Sequence, residues 1–170
     1  WTQTNLGTPG DATINEYMRT ANLQTDADIS TIMLGVNDIL RATDNSKDPD
    51  GILEDNPYSA VNYEKIMRKF IARELINGRC VMVYGTHQWL SGASPEPLGS
   101  LTACYSSDAY DAIAECLYKQ CGCMYVDTTH DITRQFGISE SCHDGIHLKD
   151  TFLEILARQF AAVFAQIDYK

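Results

Sequence analysis

Three short apolar runs separated by amphipathic segments constrain the fold of this chain more than any other feature. They are residues 29–35 (ISTIMLG), 80–86 (CVMVYGT) and 123–129 (CMYVDTT), rich in β-branched and apolar side chains. Runs of this kind read as strands buried on both faces. Helical spacing fills the gaps. It predicts helices over 13–24 through Ile14, Tyr17, Met18 and Ala21, over 60–77 through Tyr63, Met67, Phe70 and Ile71, over 108–120, and over 148–167. Asn77-Gly78 is a C-cap signal for the second of these, and the polar stretch 41–59 reads as loop. Strands that alternate with helices pair in parallel through right-handed crossovers, with helices on both faces. The expected fold is therefore α/β, a doubly wound parallel sheet.

Composition narrows the function classes. With 170 residues, 44% of them apolar and 21% charged, residues 1–170 are expected to form one domain with a packed core. The 23 acidic against 13 basic residues give a formal charge of −10, which repels nucleic acid and anionic lipid surfaces. No nucleic-acid partner is expected, and no apolar run approaches the roughly 18 residues that a membrane span needs. The first residue is Trp1, so any targeting segment is expected upstream of it. Six cysteines (Cys80, Cys104, Cys116, Cys121, Cys123, Cys142) point to an oxidising compartment, extracellular or secreted, as disulfides or buried thiols. Cys121-Gly122-Cys123 is too tight for the usual zinc pair. In residues 44–55 an EF-hand register set on Gly51 puts Ser46 first and Pro57 twelfth, and fails. No metal or organic cofactor is expected.

In a doubly wound sheet the functional groups gather at the carboxyl ends of the strands. Asn37-Asp38 follows the first apolar run, His87 and Trp89 the second, and residues 128–147 the third. The densest signal is CHDGIHLKD, residues 142–150, in which Asp144 and His147 stand three apart. A carboxylate so placed can fix the imidazole tautomer and stabilise its cation, the pairing of base and orienting group in a nucleophilic hydrolase. The bland alternative makes Asp144 a turn residue and His147 a polar helix start. Asn37 can donate its side-chain N–H to an oxyanion at the rim of the sheet. Upstream, Asn5, Gly7 and Gly10 precede a helix, where a backbone N–H can point at developing negative charge. His87 and Trp89 are candidates to line an acyl or sugar pocket, while His130-Asp131 reads as a capping pair.

Together these residues resemble the SGNH or GDSL hydrolases, serine esterases and lipases on a flavodoxin-like sheet. The glycine block of that family matches Asn5 to Asp11, its Gly-x-Asn-Asp block matches Gly35 to Asp38, and its late Asp-x-x-His matches Asp144 to His147. The resemblance implies Gly10 as a backbone oxyanion donor, Asn37 as the side-chain donor, and Asp144 and His147 as orienting group and base. It departs at the first block, because no Gly-Asp-Ser occurs in the 170 residues. Gly10-Asp11-Ala12 looks like such a block with its serine lost, yet it belongs to the glycine block by its spacing from Asn5. The resemblance thus implies a nucleophile upstream of Trp1 or on another chain, with N-terminal strand(s) missing from this chain and completed by that segment or chain. Ser91, Ser94, Ser100, Ser106 and Ser107, read as loop residues, are the internal substitutes. The implied activity is hydrolysis of an ester through an acyl-enzyme, and the acidic surface suits small acyl groups such as acetyl on a glycan. The alternatives are a non-catalytic SGNH-like binding or structural module of a larger extracellular or viral assembly, and a flavodoxin-like nucleotide binder using Gly7-x-x-Gly10, for which no full phosphate-binding fingerprint is present.

Overall fold

A computed structural model describes residues 3–23, 25–43, 54–85, 101–126, 132, 135–143 and 147–167, with backbone alone for residues 43, 101–108, 111, 138 and 139. Three parallel strands, β1 (Ile29–Ile32), β2 (Cys80–Tyr84) and β3 (Met124–Val126), lie side by side in the order β1-β2-β3. Ile29 stands opposite Cys80, and Met82 opposite Met124. The chain reaches β2 from β1 through α2 (Val36–Thr43) and α3 (Ala60–Ile76), and β3 from β2 through α4 (Leu101–Cys121). α1 (Thr13–Arg19) precedes β1, while α5 (Ile138–Ser141) and α6 (Asp150–Phe164) follow β3.

The apolar runs are strands because both of their faces are covered. Val81 and Val83 of β2 face Tyr63, Met67 and Ile71 of α3 and Tyr110, Ala114 and Leu117 of α4 in one buried cluster. Met82 and Tyr84 point the other way and pack with Val126 against Phe160, Val163 and Phe164 of α6. Each such fully buried side chain contributes roughly 1.5–3 kcal/mol. The expected α/β sheet with helices on both faces is the observed one.

The boundaries differ where local bonds override periodicity. α1 stops at Arg19 rather than running to residue 24, since Thr20 leaves helical geometry at φ −90°, ψ 1° and its hydroxyl donates to Glu16 O at 2.7 Å. β1 ends at Ile32, and Gly35, at φ +127°, turns the chain into α2. That helix takes up Asn37 and Asp38, and its last residues replace the start of the expected 41–59 loop. Ile39 and Ala42 are its buried face, a pattern too short for periodicity to single out. α4 begins at Leu101, seven residues before the expected start, so Ser106 and Ser107 are helical and not loop residues. Ser91, Ser94 and Ser100 lie outside the described residues. Cys123 and Cys142 are buried, Cys80 and Cys121 half-buried and Cys116 exposed, with no disulfide among these five. Among the described residues no helix is long and apolar enough to cross a membrane.

Candidate active site

The carboxyl end of β1 and the start of α1 face a shared open cleft of about 330 Å³, lined among others by Asn5, Gly7, Gly10, Asp11, Leu34 and Asn37. Local sequence shapes its rim. The Gly7 N–H donates to Asn5 Oδ1 at 3.0 Å, closing a tight turn of the kind asparagine favours. The Asp11 N–H donates to Thr8 O at 3.1 Å across a second turn. Gly10 sits in that turn at φ +83°, a conformation that disfavours any side chain. Among the described residues its own N–H meets no acceptor.

Asn37 lies in the first turn of α2. One of its Nδ2 hydrogens goes to Asp11 O at 3.1 Å, which leaves the second for another acceptor. The neighbouring Asp38 is 1% exposed, and its Oδ2 accepts from both the N–H and the hydroxyl of Thr13, each at 2.9 Å. Burial pushes its carboxyl up from 3.8 to about 6, against the lowering pull of those two donors. Arg41, one turn further on, donates from Nη2 to Gly10 O at 2.6 Å and from Nη1 to Asn15 Oδ1 at 2.7 Å. Arg19 ties the far wall, donating to Asp11 Oδ2 at 3.2 Å and to Leu6 O at 2.5 Å and pairing with Glu16. Burial raises the Glu16 carboxyl despite that cation.

Gly10 and Asn37, 27 residues apart in sequence, thus meet at one cleft. His147 does not line it. It stands exposed on a turn before α6, where the His143 N–H donates to His147 O at 2.8 Å and Cys142 pairs with Leu148 as an antiparallel bridge. Asp144, His87 and Trp89 lie outside the described residues, as do His130 and Asp131. Asp38, Thr13 and Arg41 were not singled out by sequence reasoning as working parts of the site. For Asp38 a signal existed, its place beside Asn37 in Gly-x-Asn-Asp; for the other two none did.

The profile of the GDSL-like lipase/acylhydrolase family matches residues 2–160. The chain belongs to this family. It is an ester hydrolase of the SGNH type. A search among curated protein sequences gives no significant match. Among solved structures, this GDSL-like chain is similar to the acetyl xylan esterase AlAXEase, at 16% identity and a TM-score of 0.70 over 92% of this chain and 78% of that one. It is similar to an acetylxylan esterase from Geobacillus stearothermophilus, at 16% identity and a TM-score of 0.66 over 90% of this chain and 67% of that one. An α/β hydrolase enzyme from the metagenome of Lake Arreo, Spain, gives 16% identity and a TM-score of 0.68 over 94% and 71%. Likeness at this level of identity concerns the fold. The catalytic mutants of the Geobacillus esterase replace a serine, an aspartate and a histidine, the last two standing three positions apart.

Proposed function

We propose that this chain carries the oxyanion hole and the base of a serine esterase that works through an acyl-enzyme, on small acyl groups such as O-acetyl on a carbohydrate. The observation that carries the reading is the meeting of Gly10, whose N–H has no acceptor among the described residues, and Asn37, with one Nδ2 hydrogen to spare, at one cleft beside the carboxyl end of β1. Two such donors stabilise the oxygen that gains charge when an ester carbonyl becomes tetrahedral. In this reading His147 takes the proton of an attacking serine and returns it to the leaving alcohol, and Asp144 orients the imidazole. The three-residue spacing from Asp144 to His147 equals that of the aspartate and histidine changed in the Geobacillus mutants. With no Gly-Asp-Ser in the chain, the reading assigns the nucleophile to a serine outside these 170 residues.

The preference for acetyl rests on the modest cleft and on the acetylxylan esterases among the structural relatives. The test is hydrolysis of p-nitrophenyl acetate against the decanoate, and of acetylated xylan, by the protein with its serine-bearing segment. Acetate turnover, fluorophosphonate labelling of that serine, and loss of turnover in His147→Ala are expected. The 170 residues alone are expected to be inert. If the serine-bearing protein neither turns over any ester nor takes the label, the non-catalytic binding module replaces this reading.

A further inference from the structure

Asn37 is one of three α2 side chains that reach back to the loop before α1. Asn37 donates to Asp11 O at 3.1 Å, Arg41 to Gly10 O at 2.6 Å, and Asp38 accepts twice from Thr13 at 2.9 Å. These bonds engage three consecutive peptide groups, those joining Gly10 to Asp11, Asp11 to Ala12 and Ala12 to Thr13. Each peptide group is planar, so a bond to one atom restrains the whole unit. The freedom that remains to swing the Gly10 N–H lies in the dihedrals of Gly10 itself. A Cβ built on Gly10 would meet no atom within 4 Å, and the residue sits at φ +83°. Packing therefore offers no brake on a residue whose backbone is the most permissive of all. Hydrogen bonds have to supply it.

We infer that Asp38 and Arg41 are positioning residues that hold the Gly10 N–H in register with the free Nδ2 hydrogen of Asn37. One short helix then sets both donors of the oxyanion hole, one on its own side chain and one through the loop it grips. The inference deepens the esterase reading and rests on its assignment of Gly10 and Asn37 as donors. The two residues divide the work. Asp38 is buried and anchors the loop's entry into α1 through Thr13. Arg41 is exposed, its guanidinium 5.2 Å from the centre of the Tyr58 ring, and grips the loop at Gly10 and α1 at Asn15.

Three measurements test this, two of them independent of turnover. In ¹⁵N relaxation on the serine-bearing protein, Arg41→Met is expected to lower the order parameters of the Gly10 and Asp11 amides from about 0.85 towards 0.6. Asp38→Ala is expected to speed hydrogen exchange of the Thr13 amide about tenfold, the loss of roughly one hydrogen bond. In the serine-bearing protein, Arg41→Met should lower kcat about 10- to 100-fold with KM unchanged, the cost of a small misplacement of a catalytic group. Arg41→Lys, which keeps a donor, should recover part of it. Unchanged loop dynamics in Arg41→Met overturns the latch, and a looser loop with unchanged kcat overturns its positioning role. Should Asp38→Ala fail to fold, the surface substitution Arg41→Met still decides. Asn37→Ala separates this inference from the reading beneath it. Full turnover in that variant removes the oxyanion assignment and leaves the relaxation result standing as a structural latch alone.

Discussion

Around the start of α1 and α2, side chains hold the backbone. Asp38, Asn37 and Arg41 bind three consecutive peptide groups of the glycine loop. Around His147 the backbone holds itself, through His143 N–H to His147 O and Lys149 N–H to Ser141 O at 2.8 Å each, between the buried anchors Cys142 and Leu148. The difference follows from what each half does in the proposed chemistry. A backbone N–H can be aimed only by restraining neighbouring peptides, and glycine supplies no packing to do it. A histidine base is aimed through its own side chain, with Asp144 as the orienting group in the proposed reading, and needs from the fold a rigid stem. The donor half should therefore respond to charge and hydrogen bonding, and the base half to apolar volume.

The sharpest way to break this contrast is His147→Ala. Turnover by the serine-bearing protein should fall by about 10⁴-fold or more, while the unfolding free energy of the exposed site shifts by less than about 0.5 kcal/mol in urea titration. Asn37→Ala should cost about 10²- to 10³-fold in kcat, measured with p-nitrophenyl acetate. On the stability side, Leu148→Ala removes the apolar anchor of the histidine turn and should destabilise by about 2–4 kcal/mol. It should leave the exchange rate of the Thr13 amide, in the other half, unchanged.

The pH dependence is a signature of the donor half. The folded value of about 6 for Asp38 lies above its ordinary 3.8, so between about pH 4 and 6 the native chain binds a proton that the unfolded chain has released. This carboxyl's stabilising contribution is complete below about pH 4, declines as pH rises to about 6, and is flat above. The loss amounts to at most about 3 kcal/mol. Urea midpoints of Asp38→Asn minus those of the wild type should rise from about pH 4 to 6 and level off above, because only the wild type carries this slope. Thr13→Val is the smallest test. It removes one of the two Asp38 donors and should cost about 1 kcal/mol, with the remaining N–H bond keeping the loop in place.

Much of this molecule was legible before any coordinates. The runs at 29–35, 80–86 and 123–129 are rich in apolar and β-branched side chains because helices cover both faces of the sheet, so β1, β2 and β3 could be placed and the α/β class followed. The helix over 60–77 was read to within a residue, since α3 carries more than four turns of consistent spacing and ends at an Asn-Gly cap. α2 escaped because eight residues give periodicity only two turns in which to show. α4 began early because its first turns hold polar residues such as Ser106 and Ser107 that local preference assigns to loops.

In the site, residue identity and motif order sufficed to nominate Gly10, Asn37, Asp144 and His147, because oxyanion donors and bases are recognisable chemical types. The order of strands and helices was likewise set by where apolar residues recur, which is a property of the chain alone. The grip of α2 on the glycine loop was not. Thr13 and Asp38 are 25 residues apart, and Arg41 and Gly10 are 31 apart. Nothing in the identity of a threonine or an arginine announces which distant peptide it will bind. That choice waits until β1 and its turn at Gly35 bring the start of α2 alongside the start of α1, at distances where a hydrogen bond can form.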